Sequence, residues 1–582
     1  SMTNLFPQPN IEVTGVVMDK AKQSIPGVSI VVKGTTKGTV TDNDGKYSIQ
    51  VPGNGTLVFS FLGYKPQEIA VNNRTTINVM LEESLVTLSE FVVVGYGVQR
   101  KIDVTGSVAQ IKGQDLSKQI SPNPISSLQG KVAGVQITNN GEPGKSPDIR
   151  IRGLGTYWGS SKPLYVVDGV WLDNVDFLNS NDIESVNILK DASSEAIYGI
   201  RGANGVIIIS TKKGGVNENP TVTYDGTIGW QKATNPVEMA NGYEYAVMFN
   251  ELNRLSGSTS SLDTTKFAGG TNWFNQMLRN GIITNHQISV NGGGAKSNYH
   301  FSLGYLNQQG LLKDNHYQRY TGNLVNDIQI SIPVKAGYSL TGSYSNSNDI
   351  PTGIWHQIYS APSVLPVWFA DHTTYGDPGY YGLGSSVQNP QATLDFSNVK
   401  TVNYHVNANA YVDITFLRKL VLRSSIGGTF DQKENRAYTP VYTATSTQSS
   451  SISNLALIRY ETRQWIIDNT LTYSDTIGKH RFTALVGQNA QYYNYGELHA
   501  SAQNVPNVNL GNWYLGLGNT SFATDVDFNY NQAYPLRSTI ASYFGRINYS
   551  YNDRYLLNAT LRADGSSKFS KGDRWGYFPS VG

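Results

Sequence analysis

The 582-residue sequence contains no cysteine, so neither a disulfide nor a thiolate metal site can form. That absence permits an oxidising compartment without requiring one. No stretch of about 18 consecutive apolar residues occurs, which excludes a membrane-spanning helix. Charge of one sign is not in excess: 45 Lys+Arg face 43 Asp+Glu, and the net is +2. The basic surplus by which a nucleic-acid-binding domain shows itself is therefore missing, and no nucleic-acid partner is expected. The eight histidines are scattered and none forms a His-x-x-x-His pair, so metal-dependent hydrolysis has no support. No signal peptide precedes Asn4, and Ser1-Met2 reads as a cloning remnant, with residues 1–10 a tag or leader remnant.

What is present is glycine and tyrosine, 58 and 36 residues. Tyrosine at that level suits surfaces that are half apolar and half wet, such as membrane interfaces or sugar-contacting walls. The mean hydropathy of −0.32 reads as soluble, yet a membrane β-barrel gives the same figure, because its strands alternate and average out. The length calls for three or more structural units.

Residues 11–83 read as a β-sandwich of seven short strands: Ile11–Val17, Gly27–Val32, Gly38–Thr41, Tyr47–Val51, Leu57–Phe61, Gln67–Val71 and Thr75–Leu81. Asp42-Asn43-Asp44-Gly45 looks like the start of a calcium loop. The carboxylate required six residues after the glycine is missing, since Val51 stands there, so a hairpin turn is expected. Residues 84–107 form a linker around Glu90-Phe91-Val92-Val93-Val94-Gly95-Tyr96-Gly97. The run combines β propensity, a backbone edge and flexible glycines. It suits either an ordinary buried strand or a detachable strand captured by β-augmentation.

Residues 108–216 mix strands with a helix over Pro124–Ala133 and a second over Ser193–Tyr198 ending at Gly199. Gly153-Leu154-Gly155 lacks the third glycine of a dinucleotide loop, with Trp158 in its place. Gly144-Lys145-Ser146 lacks the leading glycine of a phosphate loop, with Asn139 there. Turns of a compact α+β globule account for both. From 217 to 582 long segments alternate, as in Tyr404, Val406, Ala408, Ala410, Val412 and Ile414 against His405, Asn407, Asn409, Tyr411 and Asp413. Tight turns near Gly292–Lys296, Pro333, Leu417–Lys419, Asp475–Lys479 and Asn552–Arg554 separate long connections near Asn348–Val399, Lys433–Ile458 and Tyr495–Arg537. Short turns alternating with long loops favour an outer-membrane barrel over a soluble sandwich.

Residues 91–97 resemble the TonB box of SusC/RagA-type TonB-dependent outer-membrane transporters. Gly27-Val28, Gly38-Thr39-Val40-Thr41-Asp42 and Gly45-Lys46-Tyr47 resemble the carboxypeptidase-regulatory-like sandwich that precedes that box. Ser126–Val135, Ile149-Arg150-Ile151-Arg152-Gly153, Pro163–Gly169, Ile183-Glu184-Ser185-Val186, Leu189–Ser193 and Tyr198–Ile207 are similar, in order, to the family's plug. The resemblance implies a mainly β protein: sandwich, plug and a transmembrane antiparallel barrel of 22 strands. About eleven of these are counted between Thr221 and Ala563. A half barrel would leave open edges in lipid, so the remaining strands are expected to lie outside this sequence.

The resemblance further implies import of an oligosaccharide or peptide with no catalysis and no cofactor or metal. It implies a periplasmic N-terminal domain, TonB engaging Glu90 to Gly97, a SusD-like surface lipoprotein as lid, and a possible dimer of transporter–lid pairs in outer-membrane lipid. For substrate contact the candidates are Tyr157, Trp158 and Ser160 on the outward plug loop, where aromatic faces sit beside polar groups. Packing of Trp158 against the wall competes with that role. Trp355, Trp368, Tyr380 and Tyr381 are weaker candidates of the same kind, or lid contacts. The rivals are a siderophore or vitamin cargo, a receptor that signals without importing, and a carbohydrate-active enzyme, which would leave the plug motifs unexplained.

Overall fold

A computed structural model describes residues 10–582 apart from 20–22, 34, 36, 43, 62–63, 65–66, 83–90, 101–102, 104–105, 154, 156–159, 235, 418, 507–512 and 526–536. The chain divides into two compact units, residues 1–91 with 100–102, and residues 92–99 with 103–582.

In the first unit the alternating residues of Lys46–Pro52 turn Tyr47, Ile49 and Val51 inward, and Thr56–Ser60 does the same with Leu57 and Phe59. Two sheets result. One has the order Lys46–Pro52, Asn10–Met18, Val79–Met80; the other Gly38–Val40, Ser29–Val32, Thr56–Ser60, Gln67–Ala70. Their inner faces close a core around Val13, Val17, Ile30, Tyr47 and Phe59. The expected strand Thr75–Leu81 shortens to Val79–Met80, its first half joining through the Thr14–Thr76 bridge. The turn at residues 42–45 is held by the Asp42 carboxylate, which accepts from the N–H groups of Asp44 and Lys46.

The second unit begins with a five-stranded sheet in the order Val108–Lys112, Ile183–Leu189, Val206–Thr211, Leu164–Val167, Val170–Leu172. Every residue of Leu164–Val167 is buried, which is why that strand reads as a continuous apolar run. The helix expected over Pro124–Ala133 is absent. Only Ser126–Leu128 makes a single 3-10 turn. Gly130, at φ 74°, breaks the ladder there, and Leu128 and Val132 reach the core from separate turns. The second helix, Ala192–Glu195, passes into a 3-10 stretch Ala196–Gly202 kinked at Gly199, where φ is 59° and ψ −147°.

That backbone conformation belongs to glycine, and a Cβ at position 199 would overlap Asp564 Oδ2 and lie 2.6 Å from Arg562 Nε. Gly199→Ala is expected to cost about 3 kcal/mol or more and to unseat this part of the plug from the wall. Protease accessibility of residues 192–205 should rise; unchanged accessibility would contradict the tight fit.

Twelve antiparallel strands follow in chain order: Thr221–Gln231, Gly281–Gly293, Ser297–Gln309, His316–Ser331, Val334–Asp349, Asn398–Phe416, Leu420–Thr439, Asn454–Ile477, His480–Gln503, Arg537–Tyr551, Tyr555–Ser566 and Trp575–Val581. The last is one more than the sequence count, which stopped at Ala563. Among the described residues the first and last strands each pair on one side only. Short turns at 294–296, 332–333, 417–419, 478–479 and 552–554 share one end, and longer connections such as 232–280, 350–397 and 504–536 share the other. The expected loops at 433–458 and 495–537 are shorter than read, because the strands run on to Thr439 and Gln503.

The wall is apolar outside and polar inside. Leu303, Val406, Ile547 and Leu561 are exposed, whereas His300, Ser302, Asn323, Asn407, Asn489 and Arg562 are buried. A soluble sheet has the reverse polarity, so this is a wall whose outer face meets lipid. Tyr305, Tyr320, Tyr344 and Tyr404 stand opposite one another on four successive strands, with ring centroids 5.0, 6.2 and 5.2 Å apart. Such a tyrosine row is what a membrane–water boundary selects. Among the described residues no helix is long and apolar enough to cross a membrane.

Candidate functional site

The valine run at 91–94 and the glycines at 95 and 97 fold into a hairpin of Phe91–Val93 and Val98–Arg100, closed by the Val94 N–H donating to the Gly97 carbonyl at 3.0 Å. One backbone edge of Phe91–Val93 is thus taken by the hairpin's own second strand. Glu90 lies outside the described residues, as does the side chain of Phe91. Val92 and Val94 are fully buried among Val166, Trp171, Ile197, Tyr198 and Ile208 of the plug and Ile466, Leu485 and Phe544 of the wall. Val93 and Tyr96 pack partly against the same cluster.

Polar contacts also tie the hairpin to the wall. The Tyr96 hydroxyl donates to Asp468 Oδ1 at 2.9 Å, and its ring stacks on Phe544 at 4.7 Å and on Tyr198 at 6.3 Å. Arg546 Nη1 donates to the Val94 carbonyl at 3.2 Å. Burial, and then the neighbouring Asp468 charge, push the Tyr96 phenol well above its ordinary range, so it stays a donor.

Beside the hairpin, toward the short-turn end, lies a cavity of about 330 Å³ bordered by Gly95, Gly97, Asp168, Asp327, Tyr411 and Arg423. Asp327 there accepts from Lys213 at 3.2 Å, Lys335 at 3.0 Å and the Tyr411 hydroxyl at 2.6 Å. Burial raises the Asp168 carboxyl, although the Thr211 hydroxyl and N–H both donate to it.

The plug is pinned elsewhere by polar side chains of the wall. Asp182 Oδ1 accepts from Gln287 Nε2 and Ser302 Oγ, each at 2.6 Å, with His300 Nε2 3.2 Å away. Arg319 donates to the carbonyls of Pro122 and Asp176, and Arg562 Nη1 to that of Ile197 at 2.5 Å. None of these anchors follows from local sequence.

Tyr157 and Trp158 lie outside the described residues. Ser160 is exposed; its Oγ accepts from the Lys162 N–H and its carbonyl from Asn204 Nδ2, so it serves a turn. A polar cavity of about 150 Å³ opens between plug residues Lys145, Asp176 and Phe177 and wall residues Ser345, Asn403, His405 and Asp431. Burial raises the Asp176 carboxyl, and Asn403 Oδ1 is buried without a partner. Sequence reasoning did not single out this cavity; the alternating Ser343, Ser345 and Ser347 were its one visible trace. Of the four loop aromatics, Trp355 and Tyr381 pack on the apolar core of the loops and Trp368 rests on Tyr375 at 4.0 Å, which leaves Tyr380 open. Among the described residues no group of three or more His, Asp or Glu is placed to hold a metal ion.

Residues 13–93 match the CarboxypepD_reg-like domain family, and residues 100–206 the TonB-dependent Receptor Plug Domain family. Over 98% of its length the chain is 33% identical to the TonB-dependent receptor SusC of Bacteroides thetaiotaomicron, of which it covers 58%. It is 34% identical over 96% of its length to the TonB-dependent receptor P26 of Formosa agariphila, covering 56% of that protein. The chain therefore spans somewhat more than half the length of these relatives. Among solved structures, the RagAB peptide importer in its open-open state superposes with a TM-score of 0.70 at 24% identity, over 84% of this chain and 58% of the other. At that identity the likeness is one of fold.

Proposed function

Because the chain belongs to the SusC-like TonB-dependent receptors, with a CarboxypepD_reg-like domain, a plug and a β-barrel wall of the outer membrane, we propose that the whole protein imports an oligosaccharide and draws its energy through residues 90–97. The observation that carries this reading is the hairpin at 91–100, a β-competent segment seated against plug and wall by buried valines and by the Tyr96 and Arg546 hydrogen bonds. TonB adds a strand to this segment once it leaves its seat, and main-chain pairing supplies the grip without any catalytic side chain. The sandwich then lies in the periplasm, and a SusD-like lipoprotein closes the long-loop side. Transporter and lid assemble in pairs.

The outward cavity, where amide, hydroxyl and carboxylate groups sit on the scale of one sugar ring, suits an oligosaccharide. Tyr157, Trp158 and Ser160 contribute to the outward plug surface that meets it. Calorimetry of the full-length receptor with its lipoprotein against a panel of oligosaccharides and peptides tests the reading. One oligosaccharide class should bind, and Trp158→Ala should weaken it about tenfold through lost stacking. Peptide binding would move the cargo class. Silence across the panel would turn the reading toward a siderophore-sized cargo or a signalling receptor.

A further inference from the structure

We propose that the slot now filled by the Tyr96 side chain is a transit site for a pyranose ring, used after the hairpin has left. The inference rests on the oligosaccharide reading above. The slot accepts a six-membered ring with a hydroxyl on its rim, and once vacated it offers that space to the chair of a pyranose. Phe544 and Tyr198 flank the Tyr96 ring at interplanar angles of 19° and 21°. The rim hydroxyl meets Asp468, whose Oδ1 also accepts from Asn489 Nδ2 at 2.6 Å. Aromatic faces for the C–H surface and a carboxylate with an amide for the hydroxyls are the groups a sugar ring requires.

A second observation points the same way. Arg546 is 5% exposed, its Nε is buried without a partner, and one of its contacts is the Val94 carbonyl of the hairpin itself. When the hairpin leaves, that acceptor leaves with it. A buried guanidinium short of acceptors is costly, so the vacated slot attracts a group that offers several oxygens. Sugar hydroxyls do this. Hairpin and cargo then exclude each other: a ring in the slot keeps residues 91–97 out, and the return of Tyr96 drives the ring onward.

Tyr96→Gly in the full-length receptor empties the slot while leaving Phe544, Tyr198, Asp468 and Arg546 in place. Saturation-transfer NMR with methyl glucoside and, separately, with phenol reads the outcome. The proposal expects methyl glucoside to bind the variant about tenfold more tightly than the parent, whose outward cavity alone is open to it, and Asp468→Asn in the Tyr96→Gly background to remove that gain. Binding of phenol alone would show a seat shaped only for the receptor's own side chain and would overturn the proposal. Binding of neither probe, or equal binding of the glucoside to the parent, would overturn it as well. All three negative results leave the import reading standing, since the calorimetry above tests that reading by itself.

Discussion

Asp182→Ala is expected to lower the melting temperature of the plug and to let bulky hydrophilic solutes leak through the receptor. Asp182 is 3% exposed, and its Oδ1 faces Gln287, His300 and Ser302, themselves 2, 0 and 1% exposed. Alanine leaves these polar groups facing a void. Each stranded group costs about 1–3 kcal/mol, and partial entry of water brings the total to about 3–5 kcal/mol. Asp182→Asn should cost less, because its amide can donate to Gln287 Oε1, which has no partner. Calorimetric melting of the purified receptor checks the stability, and sensitivity of cells to a bulky hydrophilic antibiotic checks the leak. An unchanged melting temperature in the alanine variant would refute the pin.

Loosening the hairpin should have the second largest effect. Asp468→Ala strips the Tyr96 hydroxyl of its acceptor and Asn489 of its own. A loss of about 1.5–3 kcal/mol corresponds to roughly a 10- to 100-fold rise in the undocked population. The chain has no cysteine, so Gly97→Cys gives a single reporter, and a Cβ there meets nothing nearer than Arg546 Nη2 at 3.7 Å. The maleimide labelling rate of that thiol should rise by the same factor. Tyr96→Phe keeps the stacking and loses only the hydroxyl, so its rate should fall between. Equal rates in all three proteins would mean that stacking and the buried valines alone hold the hairpin.

Much of this architecture is legible in the sequence, because two-faced strands write their period into it. Tyr404 to Ile414 alternate against His405 to Asp413, and the structure sets those two series on opposite faces. Alternation does not say which face looks inward; the short turns and long loops settled that. The helix expected at 124–133 failed because the spacing of Leu128 and Val132 was read without weighing the positive φ that Gly130 adopts. The hairpin's pairing was invisible for a different reason. Propensity marks 91–94 as a strand, but which edge it uses depends on neighbours far along the chain, Asp468 and Arg546 among them. The Asp182 pin joins residues 105 to 120 positions apart, brought together only by strand register.

The polarity of the wall has a mechanical consequence. The plug's own interior, around Ile111, Leu128, Val167, Ile188 and Ile207, is apolar, whereas much of its surface against the wall is hydrogen-bonded. That boundary is dry where Asp182 pins it: Asp182, Gln287, His300 and Ser302 are 0–3% exposed, so a hydrogen bond sheared there finds no water to replace it. Nearer the hairpin the boundary is apolar, since Val92 and Val94 share a buried cluster with Ile466, Leu485 and Phe544 of the wall. The plug is therefore keyed to the wall by both kinds of contact, and sliding along the wall meets resistance of the same order as tearing the core.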